Sequence, residues 1–482
     1  MIVATPAVRM TCAQMSERDE RLASGGLTSS KGETRLFQRV GSPAAAWKLD
    51  LTPSRRKHPK HLPRGEWPKI RLFDFALCAE YAGQSEHEQG QHLIGITLLS
   101  AVILAPLVMV TAFFALELLT GLRPLPRSAH AGVDAPAVIV IPAHDEEPVI
   151  DGTVRATLAE TEARISLLVT ADNCTDRTAD LARSAGASVL VRDDPVHRGK
   201  GFALAAAREH LRSDPPDVVV VLDADCRIDG RSLRALVGCA ARTRRPAQAI
   251  NLLTPNLSAG PLVQLSSFGF MVKNLIRQRA LQRLADRAHL TGTGMALPWL
   301  IFERANLGGA NIVEDLALGL ELADRAAPPM LVEEATVWSP AASATGTLTQ
   351  RRRWEGGFLA TMLTTAPAAL MRSLRRGDPR DICAALDLCI PPLALLVILN
   401  AVLLLLALVG VLAGGAAWPV LVQIAVGIVA AVAVALAWFR EGRRFASAAT
   451  LLRLPFYVLW KLPMYIGFAR RGAPKNWLRS GR

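Results

Sequence analysis

Three long apolar runs constrain what this chain can fold into more than any other feature of its sequence. They cover residues 93–116 (continuing to 122 past Glu117), 388–412 and 418–439. A helix needs about 20 apolar residues to cross a bilayer, whereas a helix in a soluble core is usually about 10–14 residues long. The runs therefore predict a transmembrane helix at 93–122 and a transmembrane hairpin at 388–439, rather than helices buried in a soluble core.

A fourth apolar stretch, residues 445–468, is interrupted by Arg453 and Lys461 and has basic residues at both ends. Because cationic flanks stay on the cytoplasmic side, this stretch is predicted to lie in the membrane interface or to re-enter. Residues 440–482 hold ten Lys and Arg against one acidic residue, so they carry +9 of the net charge of +13. This segment, whose end at 469–482 is predicted to be a basic tail, should therefore be attracted to anionic lipids. No nucleic-acid-binding motif accompanies the positive charge.

The segment between the first two runs is predicted to face the cytoplasm. Arg123 and Arg127 follow the first run closely, and on its N-terminal side no Lys or Arg lies nearer than Arg71. Positive residues close to a span mark its cytoplasmic end, which predicts a multi-pass protein of the inner (plasma) membrane. Residues 1–92 are predicted to be a mostly disordered basic tail, because most of this segment is polar and lacks periodicity.

The same composition excludes two other classes of protein. The 482 residues are 51% hydrophobic, which is too apolar for a largely disordered chain. The seven cysteines include no C-x-x-C pair, so the sequence indicates neither a disulfide scaffold nor a zinc site.

Residues 134–370 are predicted to form a cytoplasmic α/β domain. Short β-branched runs at 137–141, 165–170, 188–191 and 218–222 alternate with helical patterns at 153–162, 178–185 and 201–211. Such alternation is typical of βαβ units and a parallel sheet. Parallel sheets bind ligands at the carboxyl ends of their strands, so the polar residues that follow each strand are candidate site residues.

Acidic and basic residues follow all four of these strands: Glu147, Asp172, Arg198, Lys200, Asp223 and Asp225. Two carboxylates at alternate positions, Asp223 and Asp225, can point toward one Mg²⁺ or Mn²⁺, ions that also coordinate phosphate oxygens. Arg198 and Lys200 are suitable cationic partners for a diphosphate. The Asp172 carboxylate could accept a hydrogen bond from the nucleobase or the ribose of the nucleotide. Any one strand end could equally be an Asx-rich turn, but together they predict a nucleotide-diphosphate site.

The ordered motifs resemble the membrane-embedded family 2 glycosyltransferases, the group that contains cellulose, chitin and hyaluronan synthases and bacterial exopolysaccharide enzymes. The four strand-end motifs match the donor half of the family's pattern. The acceptor half is matched by Thr-Gly-Thr-Gly at 291–294, by Glu314 with Asp315, and by Gln-Arg-Arg-Arg-Trp at 350–354, the family's Q-x-x-R-W. The match covers about residues 135–360 and implies a Rossmann-like GT-A domain, of the α/β class, beside transmembrane α-helices.

The resemblance also implies a single inverting displacement that moves a sugar from a nucleotide sugar, a UDP-sugar in many relatives, to a polysaccharide or lipid acceptor. Asp315, with Glu314 beside it, would be the base that deprotonates the acceptor hydroxyl. Asp223 and Asp225 would serve ribose and metal, with the Mg²⁺ or Mn²⁺ on Asp225. The residues implied on the diphosphate and acceptor side are Gly292, Gly294, Gln350, Arg353 and Trp354.

Several of these residues have structural alternatives. Asp315 also suits the first turn of a helix, the two glycines could form only a turn, and Arg351 with Arg352 could anchor an interface near lipid. The few predicted spans leave little room for a polysaccharide channel. Transfer of a single sugar to a lipid, as in ceramide glucosyltransferases, is therefore the alternative to processive synthesis. A transporter or a non-catalytic nucleotide-binding protein is the alternative from another class, although no run contains paired charges.

Overall fold

The computed structural model describes residues 37–38, 48–49, 72–126, 135–308, 314–341 and 344–472, without the side chains of 37–38, 48–49, 72–89 and 344–349. The chain divides into two compact units, residues 1–80 and 81–482. In the first unit, strands β1 (Phe37–Gln38) and β2 (Lys48–Leu49) pair antiparallel. Most of the tail predicted at 1–92, and all but the first four residues of the tail predicted at 469–482, lie outside the described residues.

The helices are α1 (Leu72–Gly121), α2 (Ile150–Ala159), α3 (Thr178–Ser184), α4 (Lys200–Leu211), α5 (Gly230–Thr243), α6 (Pro261–Met271), α7 (Gln278–Ala285), α8 (Trp299–Arg304), α9 (Glu314–Asp324), α10 (Ala344–Arg376), α11 (Pro379–Leu388), α12 (Leu393–Leu412), α13 (Trp418–Arg440), α14 (Ala448–Leu451) and α15 (Leu454–Arg471). A π-helix, Val272–Arg277, joins α6 to α7, and a 3₁₀ turn, Gly442–Arg444, follows α13.

The central element of the second unit is a mixed sheet of eight strands among the described residues. Its strands are β3 (Ala137–Ala143), β4 (Ile165–Asp172), β5 (Ser188–Arg192), β6 (Val218–Val221), β7 (Arg227–Ile228), β8 (Ala247–Leu253), β9 (Met295–Pro298) and β10 (Met330–Ser339), in the order β5-β4-β3-β6-β9-β8-β10-β7. The four strands predicted from the sequence, β3 to β6, are parallel as expected.

The other half of the sheet adds antiparallel strands to the predicted parallel ones. Strand β9 runs antiparallel between β6 and β8, and β7 runs antiparallel along β10. Strands β3 and β6 are buried on both faces, which explains why their sequences are continuous apolar runs. The half that the sequence did not reveal contains polar residues inside its strands, such as Gln248 and Asn251 of β8.

Three helices are long and apolar enough to cross a membrane by length and composition. They are Gly90–Gly121 within α1, Leu393–Leu412 and Trp418–Arg440. Two boundaries differ from the prediction, because α1 begins well before residue 93 and the second run is broken at Pro391 and Pro392. Two successive prolines cannot continue a helix, so α11 ends at Leu388 and α12 begins afresh beyond them.

The segment α6–π–α7 packs between the sheet and α1. Met271 and Leu275 share an apolar cluster with Leu252 of β8 and with Phe114 and Leu118 of α1. Burial of these side chains from three elements holds the sheet against the first apolar helix.

Buried ion pairs reinforce this packing. Arg277 at the end of the π-helix donates to Glu117 of α1 at 2.7 Å and to Asp387 of α11 at 2.6 Å. His289 contacts the second carboxylate oxygen of Asp387 at 2.5 Å. The Asp387 pKa is lowered, because Arg277 and His289 together outweigh the effect of its burial. One guanidinium therefore ties α1, the π-helix and α11 together.

Candidate active site

Lys200, the first residue of α4, connects three separate parts of the candidate site. Its ammonium pairs with Asp223 beyond β6 and donates to the carbonyl oxygen of Gly292 at 2.5 Å. The backbone N–H of Asp223 in turn donates to the Thr293 hydroxyl at 3.1 Å. Burial opposes the charge on Lys200, but Asp223, Glu314 and Asp315 outweigh it and raise the lysine pKa. Lys200 is thus a fixed cation at the centre of an acidic site.

Asp223 and Asp225 are suitably placed to hold a divalent cation. Ligand atoms of Asp223, Asp225 and Cys226 all lie within 4.8 Å of one another. Burial, followed by the two neighbouring carboxylates, raises the pKa of the Cys226 thiol well above its usual range, so this residue is a neutral thiol near pH 7. The two carboxylates remain as hard oxygen ligands, the kind that Mg²⁺ and Mn²⁺ prefer. The residues present therefore fit the predicted ion.

Asp315 lies against the loop that Lys200 holds. A Cβ atom added at Gly292 would be 3.2 Å from Asp315 Oδ2 and 3.7 Å from Lys200 Nζ. Burial raises the Asp315 pKa, although a backbone N–H from Leu316, Lys200 and Lys273 each act in the opposite direction. The structure thus brings together Lys200, Gly292 and Asp315, which the sequence placed on separate motifs.

Glu314 and Asp315 occupy the first turn of α9, so the structural alternative of a helix start is also realised. Glu314 Oε2 accepts from the backbone N–H of Gly201 at 3.0 Å, which joins the start of α9 to the start of α4. Gly201, Glu314 and Asp315 line one cavity together with Met295 of β9. The pair of acids is therefore both a helix terminus and a wall of the candidate site.

The stretch 350–354 lies on α10 and places Arg353 near the acids. Asp223, Asp315 and Asp225 each raise the Arg353 pKa, but burial is the larger effect and lowers it overall. The Trp354 ring lies 5.4 Å from that of Phe270, and the guanidinium of Arg351 is 5.5 Å above the same indole. Gln350 is partly buried on the same helix.

The alternative of a lipid anchor is wrong for Arg351. This side chain is only 8% exposed, and it donates to the hydroxyl and the carbonyl oxygen of Ser266 at 2.7 and 2.6 Å. Arg351 therefore fixes α10 to α6, whereas Arg352 is exposed.

The two glycines of 291–294 differ in their surroundings. Both have a positive φ, +85° at Gly292 and +63° at Gly294. A Cβ atom at Gly294 would meet Val337 at 2.7 Å and Ala249 at 3.0 Å, so this glycine is required by the packing of β9 against the sheet. Gly292, in contrast, faces the acid and the lysine of the site.

Glu147, Asp172 and Arg198 lie farther along the rim, and the two acids have protein partners. Asp172 Oδ1 accepts from Arg192 at 2.5 Å and from Asn173 at 3.0 Å. Glu147 pairs with Arg177 at 2.7 Å, and hydrogen bonds from this arginine lower the Glu147 pKa. Arg198 is exposed on the loop before α4. Roles for these three residues in donor binding stay predictions.

Sequence reasoning missed the residues that shape the loop 291–294. Gln248 of β8 is fully buried; its amide donates to the Thr293 carbonyl at 2.9 Å and accepts from the Thr291 N–H at 3.0 Å. A glutamine inside the otherwise apolar start of this strand was the available signal. Lys273, whose charge acts on Asp315, was missed because it lies in an apolar helix far from any motif.

Gly292→Ala is expected to lower the turnover of this site by at least tenfold without unfolding the chain. The new methyl group would meet the Asp315 carboxylate at 3.2 Å, and the positive φ of +85° disfavours a side chain. Gly152→Ala in α2 is the matched control, because a Cβ atom there meets nothing within 4 Å. Turnover of both variants, together with their melting temperatures, would test this prediction; equal turnover would contradict it.

Glu314→Gln is expected to change how stability depends on pH. Burial, the largest cause, raises the Glu314 pKa to about 7. At pH values between the pKa of this carboxyl in the unfolded chain and about 7, the folded chain binds the proton more tightly than the unfolded chain does. The stabilising contribution of this group is therefore lost as the pH rises. The melting temperature of Glu314→Gln relative to the unsubstituted chain should therefore increase from pH 5 to pH 8. A pH-independent difference would show that the site does not shift this carboxyl.

Comparison with known proteins identifies the class of this domain. Residues 135–357 match the family described as glycosyltransferase like family 2. The chain therefore contains a glycosyltransferase family 2 domain, and its mixed α/β sheet is that of the GT-A fold. The protein is an enzyme, a glycosyltransferase, which sets aside the transporter and the non-catalytic nucleotide-binding protein.

Solved structures with similar folds include a mannosyltransferase from Pyrobaculum calidifontis in complex with GDP-Man and Mn²⁺, at 15% identity and a TM-score of 0.47, covering 77% of this chain and 99% of that chain. Another is glucosyl-3-phosphoglycerate synthase from Mycobacterium tuberculosis with Mn²⁺, UDP-Glc and phosphoglyceric acid, at 19% identity and a TM-score of 0.32, covering 47% and 85% of the two chains. These values are too low to indicate a sugar or an acceptor. A comparison with curated proteins finds no match.

Proposed function

We propose that this chain is a membrane-bound inverting glycosyltransferase that moves a sugar from a nucleotide-diphosphate donor, a UDP-sugar, to a polysaccharide or lipid-linked acceptor at the cytoplasmic membrane face. The convergence of Lys200, Asp223, Gly292 and Asp315 in one cluster is the observation that carries this proposal. A cation, a pair of acids and a separate recessed acid are the groups that such a transfer needs.

In the proposed mechanism, Asp315 accepts the proton of the acceptor hydroxyl as that oxygen attacks the anomeric carbon of the donor. Burial favours proton uptake by this carboxylate, since it raises the Asp315 pKa. Lys200 and Arg353 stabilise the negative charge on the departing diphosphate. Asp223 and Asp225 would hold Mg²⁺ or Mn²⁺, which supplies further positive charge for the leaving group. Trp354 offers an apolar ring at the acceptor side, as a surface for a sugar.

Membrane attachment rests on the three apolar helices and on the surface of α15. The helices expose large apolar side chains such as Val102, Leu405 and Ile428, at 69%, 65% and 58%. Burying such surfaces in lipid is favourable, whereas leaving them in water is not. Helix α15 likewise exposes Phe456 and Leu459 and ends with Arg470 and Arg471, which supports an interfacial position on anionic lipid.

Transfer of a single sugar to a lipid is the second candidate, and the number of spans favours it. Three candidate spans are present in the described part of the chain, which is few for enclosing a polysaccharide channel. The Q-x-x-R-W match favours a polymer instead. The size of the product made from radiolabelled donor separates the two, since a polymerase yields a ladder or high polymer and a single-transfer enzyme yields one added sugar.

Nucleotide release from a panel of UDP- and GDP-sugars tests the proposed function. The purified full-length chain in lipid nanodiscs should release nucleotide from at least one UDP-sugar with Mn²⁺ and lose at least 90% of this activity in EDTA. Restored Mn²⁺ should restore release. Asp225→Asn should reproduce the effect of EDTA, with Asp217→Asn, on the loop before β6, as its control. Release that is unaffected by EDTA would contradict the metal assignment, and the absence of release from every donor would contradict the proposed function.

A further inference from the structure

Lys273 is a cation beside the candidate base that no sequence motif includes. It lies in the π-helix Val272–Arg277, a type of helix that is rare and is often found at functional sites. Its neighbours Val272 and Asn274 are buried, whereas Lys273 itself is exposed. The surrounding protein nevertheless desolvates the ammonium, and this burial is the largest cause of its lowered pKa. Both facts fit a side chain that faces a recess open to water.

Packing against α10 places this recess on the acceptor side. The ammonium of Lys273 is 5.2 Å from the centroid of the Phe358 ring, and one turn earlier Phe270 contacts Trp354. Phe358 shares an apolar cluster with Leu316, the residue that follows Asp315. Lys273 therefore lies where α10 meets the start of α9.

The other cations near this recess have protein partners. Arg351 is bonded to Ser266, and Lys200 is bonded to Asp223 and Gly292. Arg277 is shared between two buried carboxylates. In the described part of the chain, by contrast, no carboxylate or carbonyl oxygen lies within hydrogen-bond distance of the Lys273 ammonium.

Lys273 is exposed and contacts the Phe358 ring, so its ammonium can take up an anionic hydrogen-bonding partner that arrives with the substrate. Asp315 attracts Lys273 from a longer distance, while Arg277 and Arg351 repel it. Asp387, the other carboxylate that acts on Lys273, is paired with Arg277. Lys273 therefore remains available to bind an anion on the side from which the acceptor approaches.

We propose that Lys273 binds an anionic group, a phosphate or a carboxylate, on the acceptor next to the hydroxyl that is glycosylated. This proposal rests on the proposed function and names the chemical class of its acceptor. It makes Lys273 a specificity-determining residue, since an acceptor without the anion would leave the ammonium unpaired. Tuning of Asp315 by the charge of Lys273 is the competing explanation, and it predicts an equal effect on all acceptors.

Two matched pairs of acceptors distinguish these explanations and the two sources of the anion. Phosphatidylglycerol and diacylglycerol differ in a lipid phosphate, and octyl glucuronide and octyl glucoside differ in a sugar carboxylate. The assay uses the full-length chain in nanodiscs of neutral phosphatidylcholine, with a donor that it hydrolyses. Lys273→Met removes the charge, Lys273→Arg keeps it, and Arg375→Met, an exposed position at the end of α10, is the control.

The unsubstituted chain should use the anionic member of at least one pair with a KM at least tenfold below that of its neutral partner. Lys273→Met should remove this difference, whereas Lys273→Arg and Arg375→Met should keep it. The pair that shows the preference identifies phosphate or carboxylate as the anion. A preference for neutral members, use of neither pair, or an equal loss of kcat for all acceptors in Lys273→Met would overturn the proposal. Absence of donor hydrolysis in the unsubstituted chain would instead contradict the proposed function.

Discussion

Asp315→Asn should lower sugar transfer by ~10²–10⁴-fold, the usual contribution of a general base. Asparagine keeps the size of the side chain and its place in the first turn of α9, but it cannot take the proton of the acceptor hydroxyl. Binding of UDP should change little, because Asp223, Asp225 and Lys200 are unaltered. Transfer from radiolabelled donor gives the rate, and calorimetric titration with UDP and Mn²⁺ gives the affinity.

Asp324→Asn is the matched control for this experiment. It makes the same chemical change at the other end of α9, where the side chain is 74% exposed. The control should keep full transfer. If Asp315→Asn kept full transfer as well, Asp315 would not be the base; if it lost UDP binding too, the residue would belong to the donor site instead.

Arg277→Met should destabilise the chain by ~3–5 kcal/mol, the usual cost of removing one partner from a buried ion pair. Glu117 is 0% exposed and Asp387 is 2% exposed, and both would lose the guanidinium of Arg277. Methionine fills much of the same space, so the loss of charge pairing should dominate. The melting temperature in detergent and the yield of folded protein measure the effect.

Two further variants make the reason for this loss testable. Arg283→Met, on the same helical segment, removes an exposed arginine that donates to the carbonyl oxygens of Thr120 and Pro124, and should cost much less. Glu117→Gln combined with Arg277→Met should recover part of the loss, because it removes one of the unpaired charges. A double variant no more stable than Arg277→Met would exclude the charge explanation.

The local sequence pattern was sufficient to predict the strands in the first half of the domain. Strands β3 to β6 are short and β-branched, β3 and β6 are buried on both faces, and each of the four is followed by the polar residues that the carboxyl end of a parallel strand exposes. The second half could not be predicted in the same way. Gln248 and Asn251 interrupt the apolar pattern of β8, yet both are buried, and the polar bonds of Gln248 are made with a loop more than 40 residues away.

The candidate site was predictable as a set of residues but not as an arrangement. Lys200, Asp223 and Asp315 belong to motifs that sequence order reveals, and they do meet. Asp172 and Glu147 belong to the same motifs, yet Arg192 and Arg177 occupy their carboxylates. Arg351 looked suited to a lipid surface, whereas its bonds to Ser266 bury it between two helices.

The sequence by itself determined the apolar helices, the parallel strands and the chemical types at the strand ends, because each depends on residues close together in the chain. Only the tertiary structure decided which of those ends meet. Lys200 and Gly292 are 92 residues apart and are joined by one hydrogen bond, and Arg277 reaches Glu117 across 160 residues. Such contacts form where packed helices and strands bring side chains together, and no local pattern records them.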